Sequence, residues 1–199
     1  MCNFRCTLDN SILKFLSILF LALGLAAIIA AVKYTVGKSA YGYRGLGDLF
    51  VFIFFGLVGV AGSYFLFTQK LQWFHFLPAI SIGLFSTVVL HLNNMRDRIS
   101  DEKSGKNTMA VTLGKSGAVR YHSFILGTGI LSWILYLVIT NAPGTLFISC
   151  IAFLPLAFHF RVVRLSKDHR LLDPELKKVA LATFFLALLF FVSSIYIYS

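Results

Sequence analysis

The stretch HFLPAISIGLFSTVVLHL at residues 75–92 contains no Asp, Glu, Lys or Arg, and it runs directly into NNMRDRISDEKSGKNT at residues 93–108. An apolar stretch of this length crosses a hydrocarbon core of roughly 30 Å as a helix. Asn93, Asp97 and Asp101 then fall at i, i+4 and i+8, on one face of that helix. The two stretches together predict a membrane-spanning helix that ends in a stripe of one amide and two carboxylates.

The composition of the whole chain indicates an integral membrane protein. Hydrophobic residues make up 58% of the 199 residues and charged residues only 13%, and the mean hydropathy of +0.81 excludes a soluble globular domain. We therefore expect the all-α class, as one membrane helical bundle over residues 1–199 with about six transmembrane helices. The predicted spans are 12–32, 49–68, 75–92, 123–140, 145–160 and 179–198.

The distribution of basic residues predicts the orientation of the bundle. Most Lys and Arg residues lie in the connections after the first, third and fifth spans. The positive-inside rule places these connections in the cytoplasm and both termini outside, so we expect a multi-pass protein of the inner (cytoplasmic) membrane with a cytoplasmic active face. The net charge of +10 then reflects topology and anionic lipid headgroups. No nucleic-acid-binding motif accompanies it, and we expect no nucleic-acid partner.

The polar stripe has the chemistry of a cation site. Mg²⁺ takes oxygen ligands and is often held by one or two carboxylates together with substrate phosphates. Asp97 and Asp101 supply such a pair, and Arg96, Lys103 and Lys106 are placed to neutralise a diphosphate. An ordinary solvated loop is the alternative interpretation. A nucleotide-binding P-loop is not indicated, because a serine stands where the first glycine of that motif would be.

The connection after the first span, YTVGKSAYGYRGLGD at residues 34–48, is rich in glycine and tyrosine. A folded loop of this composition would present Lys38 and Arg44 to an anion. The alternative is that the basic residues mark the cytoplasmic boundary and the tyrosines mark the membrane interface. Composition alone favours the second interpretation.

Other polar residues point to structural roles. His91 lies late in an apolar span and is expected to be a hydrogen-bonded interior histidine. The connection 161–178 mixes both charge signs and is expected to be solvated and without a catalytic role, with a helix starting at Asp173. The remaining span-end histidines lack metal-ligand spacing and are expected at the interface: His122, His159 and His169.

Two motifs together resemble the UbiA superfamily of intramembrane aromatic prenyltransferases, and most closely its branch that prenylates 1,4-dihydroxy-2-naphthoate in menaquinone biosynthesis. The first is Tyr34-Thr35-x-Gly37 through Tyr43-x-Gly45-Leu46-Gly47-Asp48. The second is Asn93-Asn94-x-Arg96-Asp97-x-x-x-Asp101-x-x-x-Gly105-Lys106-x-Thr108, continuing through Ala110-Val111-x-Leu113-Gly114. Ala40 departs from the first pattern, where the family commonly has proline.

The resemblance implies a Mg²⁺-dependent transfer of a polyprenyl group from polyprenyl diphosphate to an aromatic acceptor, with decarboxylation in the naphthoate branch. Asp97 and Asp101 would be catalytic and hold the metal. The resemblance also implies catalytic roles for Lys38 and Arg44 in stabilising the departing diphosphate. Residues implied to bind substrate are Tyr34, Tyr41, Asn93, Asn94, Arg96 and Lys106.

One departure from the family pattern affects the completeness of the site. The family is similar in having about nine helices and a further acidic motif of the Asn-Asp-x-x-Asp type after the second helix, and this sequence contains no such motif. The chain therefore resembles the last six helices, with the first three missing at its N-terminus. Either a partner fragment supplies the missing motif, or the chain is a truncated or split gene product. The alternatives are a different aromatic acceptor, or a membrane protein of the same fold without activity.

Overall fold

The computed structural model describes residues 10–35, 41–166, 168 and 172–198. Within these residues there is no β-strand, and six helices are long and apolar enough to cross a membrane, which confirms the predicted fold class. The helices are α1 (Asn10–Thr35), α2 (Gly47–Thr68), α3 (Trp73–Lys103), α4 (Met109–Ile139), α5 (Gly144–Leu165) and α6 (Asp173–Tyr198).

Helix α3 is the central element of the bundle, because it packs against α2, α4 and α6. Its buried side chains form the middle of one continuous apolar core. In water, burying such a side chain would stabilise the fold by roughly 1.5–3 kcal/mol. In a bilayer the surrounding lipid is itself apolar, so van der Waals packing between the helices stabilises the core instead. The core residues of α3 are Phe85, Val88, Leu92 and Met95, and α4 contributes Ile125, Leu126, Trp133 and Leu137.

The α2–α3 contact is a close approach of two backbones at Gly56 and Gly83. A Cβ atom on Gly56 would lie 2.5 Å from the carbonyl oxygen of Ala79 and 2.8 Å from Cα of Gly83. Neither position has room for a side chain. Small residues at such crossings allow van der Waals packing between helices in a bilayer.

Helix α5, at the predicted fifth span, combines two helix types. Its first ten residues, Gly144–Phe153, form a 3₁₀-helix, and the α-helix begins at Leu154 with Pro155 in its first turn. A 3₁₀-helix rises about 2.0 Å per residue against 1.5 Å in an α-helix, so the segment covers more depth per residue. Proline, which has no backbone N–H, is tolerated there because the N–H groups of a first helical turn have no acceptor within the helix.

The predicted long connection between the third and fourth spans is wrong. Helix α3 continues to Lys103 and α4 begins at Met109, so only residues 104–108 join them. Thr108 caps the N-terminus of α4 by accepting a hydrogen bond from the backbone N–H of Val111. Hydropathy marks where a helix leaves the hydrocarbon, and polar helix-forming residues carry it further into water.

The connection 161–178 is also shorter and less solvated than expected. Helix α5 extends to Leu165, and α6 begins at Asp173, which confirms the predicted helix start. Leu172 and Glu175 are buried, so this connection contributes to the core. The mixture of acidic and basic residues in this connection predicted exposure to solvent and gave no sign of this burial.

Candidate functional site

The polar stripe lies at the end of α3 on continuous helix, which places its members on one side as the spacing predicts. Asn93 and Asp97 are partly exposed, whereas Asp101 is buried at 8% exposure. Asn94 is also buried, at 3%, and lies about 100° around the helix from Asn93. Asn93 is therefore the amide of this motif that is accessible to a ligand.

Asp97 is bound by the guanidinium of Arg96. Nε of Arg96 donates to Oδ1 of Asp97 at 2.8 Å, and Nη2 donates to Oδ2 at 2.8 Å, a two-pronged pairing that occupies both carboxylate oxygens. Nη2 also donates to Oδ1 of Asn93 at 2.5 Å. Nη1 donates to Oδ1 of Asp173, at the start of α6, at 2.6 Å. Arg96 therefore joins α3 to α6.

Asp173 contacts the candidate site through Arg96, and nothing in the sequence predicted this contact. Asp173 was predicted only as a helix start, within a connection to which no role was assigned. It is separated from Arg96 by 77 positions in the chain, so no local spacing signal connects the two.

Asp101 is paired with Lys106 through the turn that follows α3. Nζ of Lys106 lies 3.4 Å from both carboxylate oxygens of Asp101, and the backbone N–H of Lys106 donates to the carbonyl oxygen of Asp101 at 2.8 Å. Gly105 enables this reversal with a φ of +73°, in the left-handed region that glycine adopts without strain. The structure thus brings Lys106 to the acidic stripe, as the sequence predicts.

The connection between α1 and α2, the first loop, meets the turn that follows α3. The backbone N–H of Asn107 donates to the carbonyl oxygen of Tyr43 at 3.0 Å. Gly45, with a φ of +74°, lies so close that a Cβ atom there would be 3.0 Å from the carbonyl oxygen of Asn107. The two motifs that are distant in sequence are therefore in direct backbone contact.

The predicted residues of that first loop are only partly described. The ring of Tyr34 lies over Gly42 and Gly47. A Cβ atom added at either glycine would lie 3.0 Å from Cε2 of that ring. Arg44 is exposed at the end of a short helical turn, Tyr41–Arg44. Lys38 and the side chain of Tyr41 lie outside the described residues.

Asp48, at the start of α2, lies beside the buried ring of His91 in α3. Nε2 of His91 lies 3.1 Å from the carbonyl oxygen of Ala118, and because a carbonyl only accepts, that nitrogen carries a hydrogen. Nδ1 of His91 then faces Oδ2 of Asp48 at 3.4 Å. His91 is fully buried, which confirms its prediction as an interior histidine. The hydroxyl of Thr87 donates to the backbone carbonyl oxygen of Asp48 at 3.3 Å and so joins the start of α2 to α3.

The prediction that His122 and His159 lie at the interface is wrong, because both are fully buried. Their Nε2 atoms are 2.9 Å apart, Nδ1 of His159 is 2.8 Å from Oε2 of Glu175, and Lys178 donates to Oε1 of Glu175 at 2.5 Å. These contacts link α4, α5 and α6 in the interior, where low polarity strengthens each of them. Contacts between three different helices leave no regular spacing in the sequence, so the sequence did not predict them. His169 lies outside the described residues.

An apolar groove of about 920 Å³ leads to the acidic stripe. Its walls come from α2, α3 and α6, with Trp133 and Tyr136 of α4 contributing aromatic rings. It runs along α3 from His75 to Asn93, a distance of about 27 Å at 1.5 Å per residue. Asn93 brings the polar end of the groove beside Arg96 and Asp97. A smaller hollow of about 370 Å³ lies at Arg96, Asp97 and Lys103.

The donor set suits a shared cation site better than a fully protein-built one. Among the described residues, no group of three or more His, Cys, Asp or Glu side chains is arranged to hold a metal ion. Asp97 and Asp101 offer two carboxylates, with hard oxygen ligands, from one helix face. Mg²⁺ is commonly held by one or two protein carboxylates when substrate phosphates and water complete its coordination shell. The residues present therefore fit Mg²⁺ together with a phosphorylated ligand.

Three curated proteins illustrate what the chain is similar to. It is 40% identical over 171 residues to 1,4-dihydroxy-2-naphthoate octaprenyltransferase of Haemophilus influenzae, covering 86% of this chain and 56% of the relative. It is 50% identical over 107 residues to the protein of the same name in Escherichia coli, covering 54% and 35%. The corresponding Mycobacterium leprae protein is 38% identical over 113 residues, covering 56% and 38%.

The chain thus spans little more than half the length of the Haemophilus relative, at 56%. No solved structure matches it. The model of the UbiA prenyltransferase family matches residues 10–189, which include both motifs and nearly all residues that line the groove. The chain therefore belongs to the UbiA prenyltransferase family.

Proposed function

We propose that this chain takes part in the transfer of a polyprenyl group from polyprenyl diphosphate to 1,4-dihydroxy-2-naphthoate, with decarboxylation, giving demethylmenaquinone. The observation that carries the proposal is the apolar groove that ends at Asn93 beside Arg96 and Asp97. A polyprenyl diphosphate has the same pattern, because a long apolar tail carries a highly anionic head. The names of the bacterial relatives support the naphthoate acceptor.

Asp97 and Asp101 would hold Mg²⁺ against the diphosphate. When bound, Mg²⁺ would neutralise negative charge on the diphosphate and make it a better leaving group. Arg96 and Lys106 already lie at the two carboxylates and can donate to diphosphate oxygens. Lys38 and Arg44 would approach from the first loop. Fixed donors of this kind stabilise charge that develops in the transition state.

The aromatic acceptor would bind near the first loop. Tyr34, whose ring lies over Gly42 and Gly47, offers a flat surface for an aromatic ring and an electron-rich face for an allylic cation. Tyr41 would contribute in the same way. Asn93 would contact substrate directly, whereas the buried Asn94 would support the site from within the bundle.

We place this chemistry at the cytoplasmic face of the bacterial inner membrane. The connections that join α1 to α2, α3 to α4, and α5 to α6, taken together with the helix ends that flank them, carry most of the basic residues, in agreement with the positive-inside rule. The motif residues lie at these same ends of α2 and α3. A second acidic motif from a partner fragment would complete the grip on the diphosphate.

A second candidate is a non-catalytic membrane protein of the same fold. It is favoured by one observation, which is that Asp97 and Asp101 are each already neutralised by a cation of the chain itself. Such pairing is compatible with a purely structural role, and also with an enzyme that has no cation or substrate bound.

The test is prenyl transfer to 1,4-dihydroxy-2-naphthoate in membranes that contain this chain, Mg²⁺ and a polyprenyl diphosphate. Asp97→Asn and Asp101→Asn should each lower the rate by roughly 100-fold or more, the scale on which lost charge stabilisation acts. Glu102→Gln is the matched control, because Glu102 is an exposed acid on the same helix whose contact is a loose pair with Arg98 at 3.9 Å.

The membranes are assayed with and without a three-helix fragment that bears an Asn-Asp-x-x-Asp motif. Activity only with the fragment supports a shared site. The absence of transfer under both conditions would contradict the proposed function and favour the second candidate.

A further inference from the structure

Arg96 is held by acceptors from two helices at once. Its Nε and Nη2 atoms bind Asp97, and its Nη1 binds Asp173 of α6 at 2.6 Å. Nη2 also binds Asn93. The guanidinium therefore has one attachment to the acidic stripe and another attachment outside it.

The attachment to Asp97 conflicts with cation binding. Both carboxylate oxygens of Asp97 accept hydrogen bonds from Arg96, so a divalent cation that binds the same oxygens competes with the guanidinium and weakens its hold on Asp97. The attachment to Asp173 does not conflict, because Asp173 belongs to a different helix. Arg96 can therefore pivot on Asp173 while Asp97 becomes available.

The bridge between Arg96 and Asp173 lies across the polar end of the groove. Asn93, one turn before Arg96, and Leu176, one turn after Asp173, both line the groove. A ligand whose tail occupies the groove would have its head at this bridge. A pivot of Arg96 would keep its positive charge near that head.

We propose that Asp173 is a positioning residue that retains Arg96 when a divalent cation occupies Asp97. The inference rests on the proposed function insofar as Asp97 is taken as a cation ligand. Asp173 touches neither the cation nor the reacting atoms. It acts by giving Arg96 a second anionic partner.

The sign of its effect follows from charge. Without the cation, Arg96 is neutralised by Asp97 whether or not Asp173 is present. With the cation bound, Arg96 is held less firmly by Asp97 and lies near a further positive charge, so the carboxylate of Asp173 is worth more in the bound state. Removing that carboxylate should weaken cation binding. Since Asp173 is 63% exposed, solvent screening limits the effect to about three- to tenfold.

The test measures Mn²⁺ binding to the purified full chain in detergent by electron paramagnetic resonance, with Mg²⁺ as competitor and no prenyl donor. Asp173→Asn removes the charge but keeps a side chain of the same shape. Asp173→Glu restores the charge and should bind Mn²⁺ within about twofold of the wild type. Glu102→Gln removes one acid of matching exposure, 64%, from α3 itself. Thermal unfolding of each variant verifies the fold.

Weaker Mn²⁺ binding in Asp173→Asn, with recovery in Asp173→Glu and little change in Glu102→Gln, supports the inference. Equal weakening in Asp173→Asn and Glu102→Gln overturns it, because general charge loss would then be the cause. Binding that Asp97→Asn leaves unaltered also overturns it. If Mn²⁺ binding behaves as expected while prenyl transfer is absent, the inference stands and the proposed function fails.

Discussion

Nε2 of His122 lies 2.9 Å from Nε2 of His159, and both rings are fully buried. Two ring nitrogens at this distance need one hydrogen between them. Nδ1 of His159 donates to Glu175, whose other oxygen is held by Lys178. In neutral rings, Nε2 of His159 then accepts the hydrogen of His122. One arrangement of hydrogens therefore links α4, α5 and α6 through these three contacts.

Replacing His159 with alanine should destabilise the bundle by about 2–4 kcal/mol, because it leaves the Glu175 carboxylate and the His122 ring without their shared partner in the interior. The measurement is thermal unfolding in detergent, followed by tryptophan fluorescence. The control is Phe158→Ala on the same helix, which removes a larger side chain that is 72% exposed. Equal losses in the two variants would show that the buried network adds nothing.

Gly56→Ala should destabilise the protein by about 1–3 kcal/mol, because the new methyl group would collide with the backbone of α3 at Ala79 and Gly83. The matched control is Gly127→Ala in α4, where an added Cβ meets nothing within 4 Å. That change should be neutral or stabilising by about 0.4–1 kcal/mol. Thermal unfolding of both variants tests the pair, and an unaffected Gly56→Ala protein would contradict the close crossing.

Gly45→Ala should reduce prenyl transfer more than Gly105→Ala does. Both positions have a positive φ, so both substitutions carry a similar backbone strain of about 1–2 kcal/mol. They differ in surroundings, since the Cβ at position 45 would press on the carbonyl of Asn107 and the Cβ at position 105 meets nothing within 4 Å. Assays at equal amounts of folded protein isolate the contact between the two loops. Equal rates would mean that this contact does not position the site.

Ala187→Trp should narrow the groove and discriminate between donors by tail length. Ala187 lines the groove about 21 Å along α6 from Asp173, so a short geranyl tail should still fit while an octaprenyl tail collides. We expect kcat/KM for octaprenyl diphosphate to fall at least roughly tenfold relative to geranyl diphosphate. Leu188→Trp places the same ring on the neighbouring exposed position. A similar loss for both donors in Ala187→Trp would argue against a tail in this groove.

The sequence predicted the parts of the fold that follow from hydropathy and local spacing. Six spans, the helix start at Asp173 and the common face of Asn93, Asp97 and Asp101 all depend on residues close together in the chain. The helix ends were less accurate, because α3 continues beyond its apolar part to Lys103. Polar residues that favour helix conceal the point where a helix leaves the membrane.

The partners of the site residues were less accessible to sequence reasoning. His122 and His159 resemble interfacial residues in sequence, and only helix packing turns them into a buried pair. Arg96 and Asp173 meet for the same reason across 77 positions. Long-range pairing of polar groups depends on how helices rotate and cross, and a single sequence contains no periodicity that reports it.

The backbone contact at Gly56 and Gly83 has a consequence for the order in which the bundle assembles. Helices α2 and α3 are joined by a short turn, and their contact requires no partner from any other helix. Such a hairpin can associate as soon as both helices have entered the bilayer. The histidine network requires α4, α5 and α6 and can close only after the last of them is inserted. Synthesis from the N-terminus would therefore form the apolar crossing first and complete the buried polar set last.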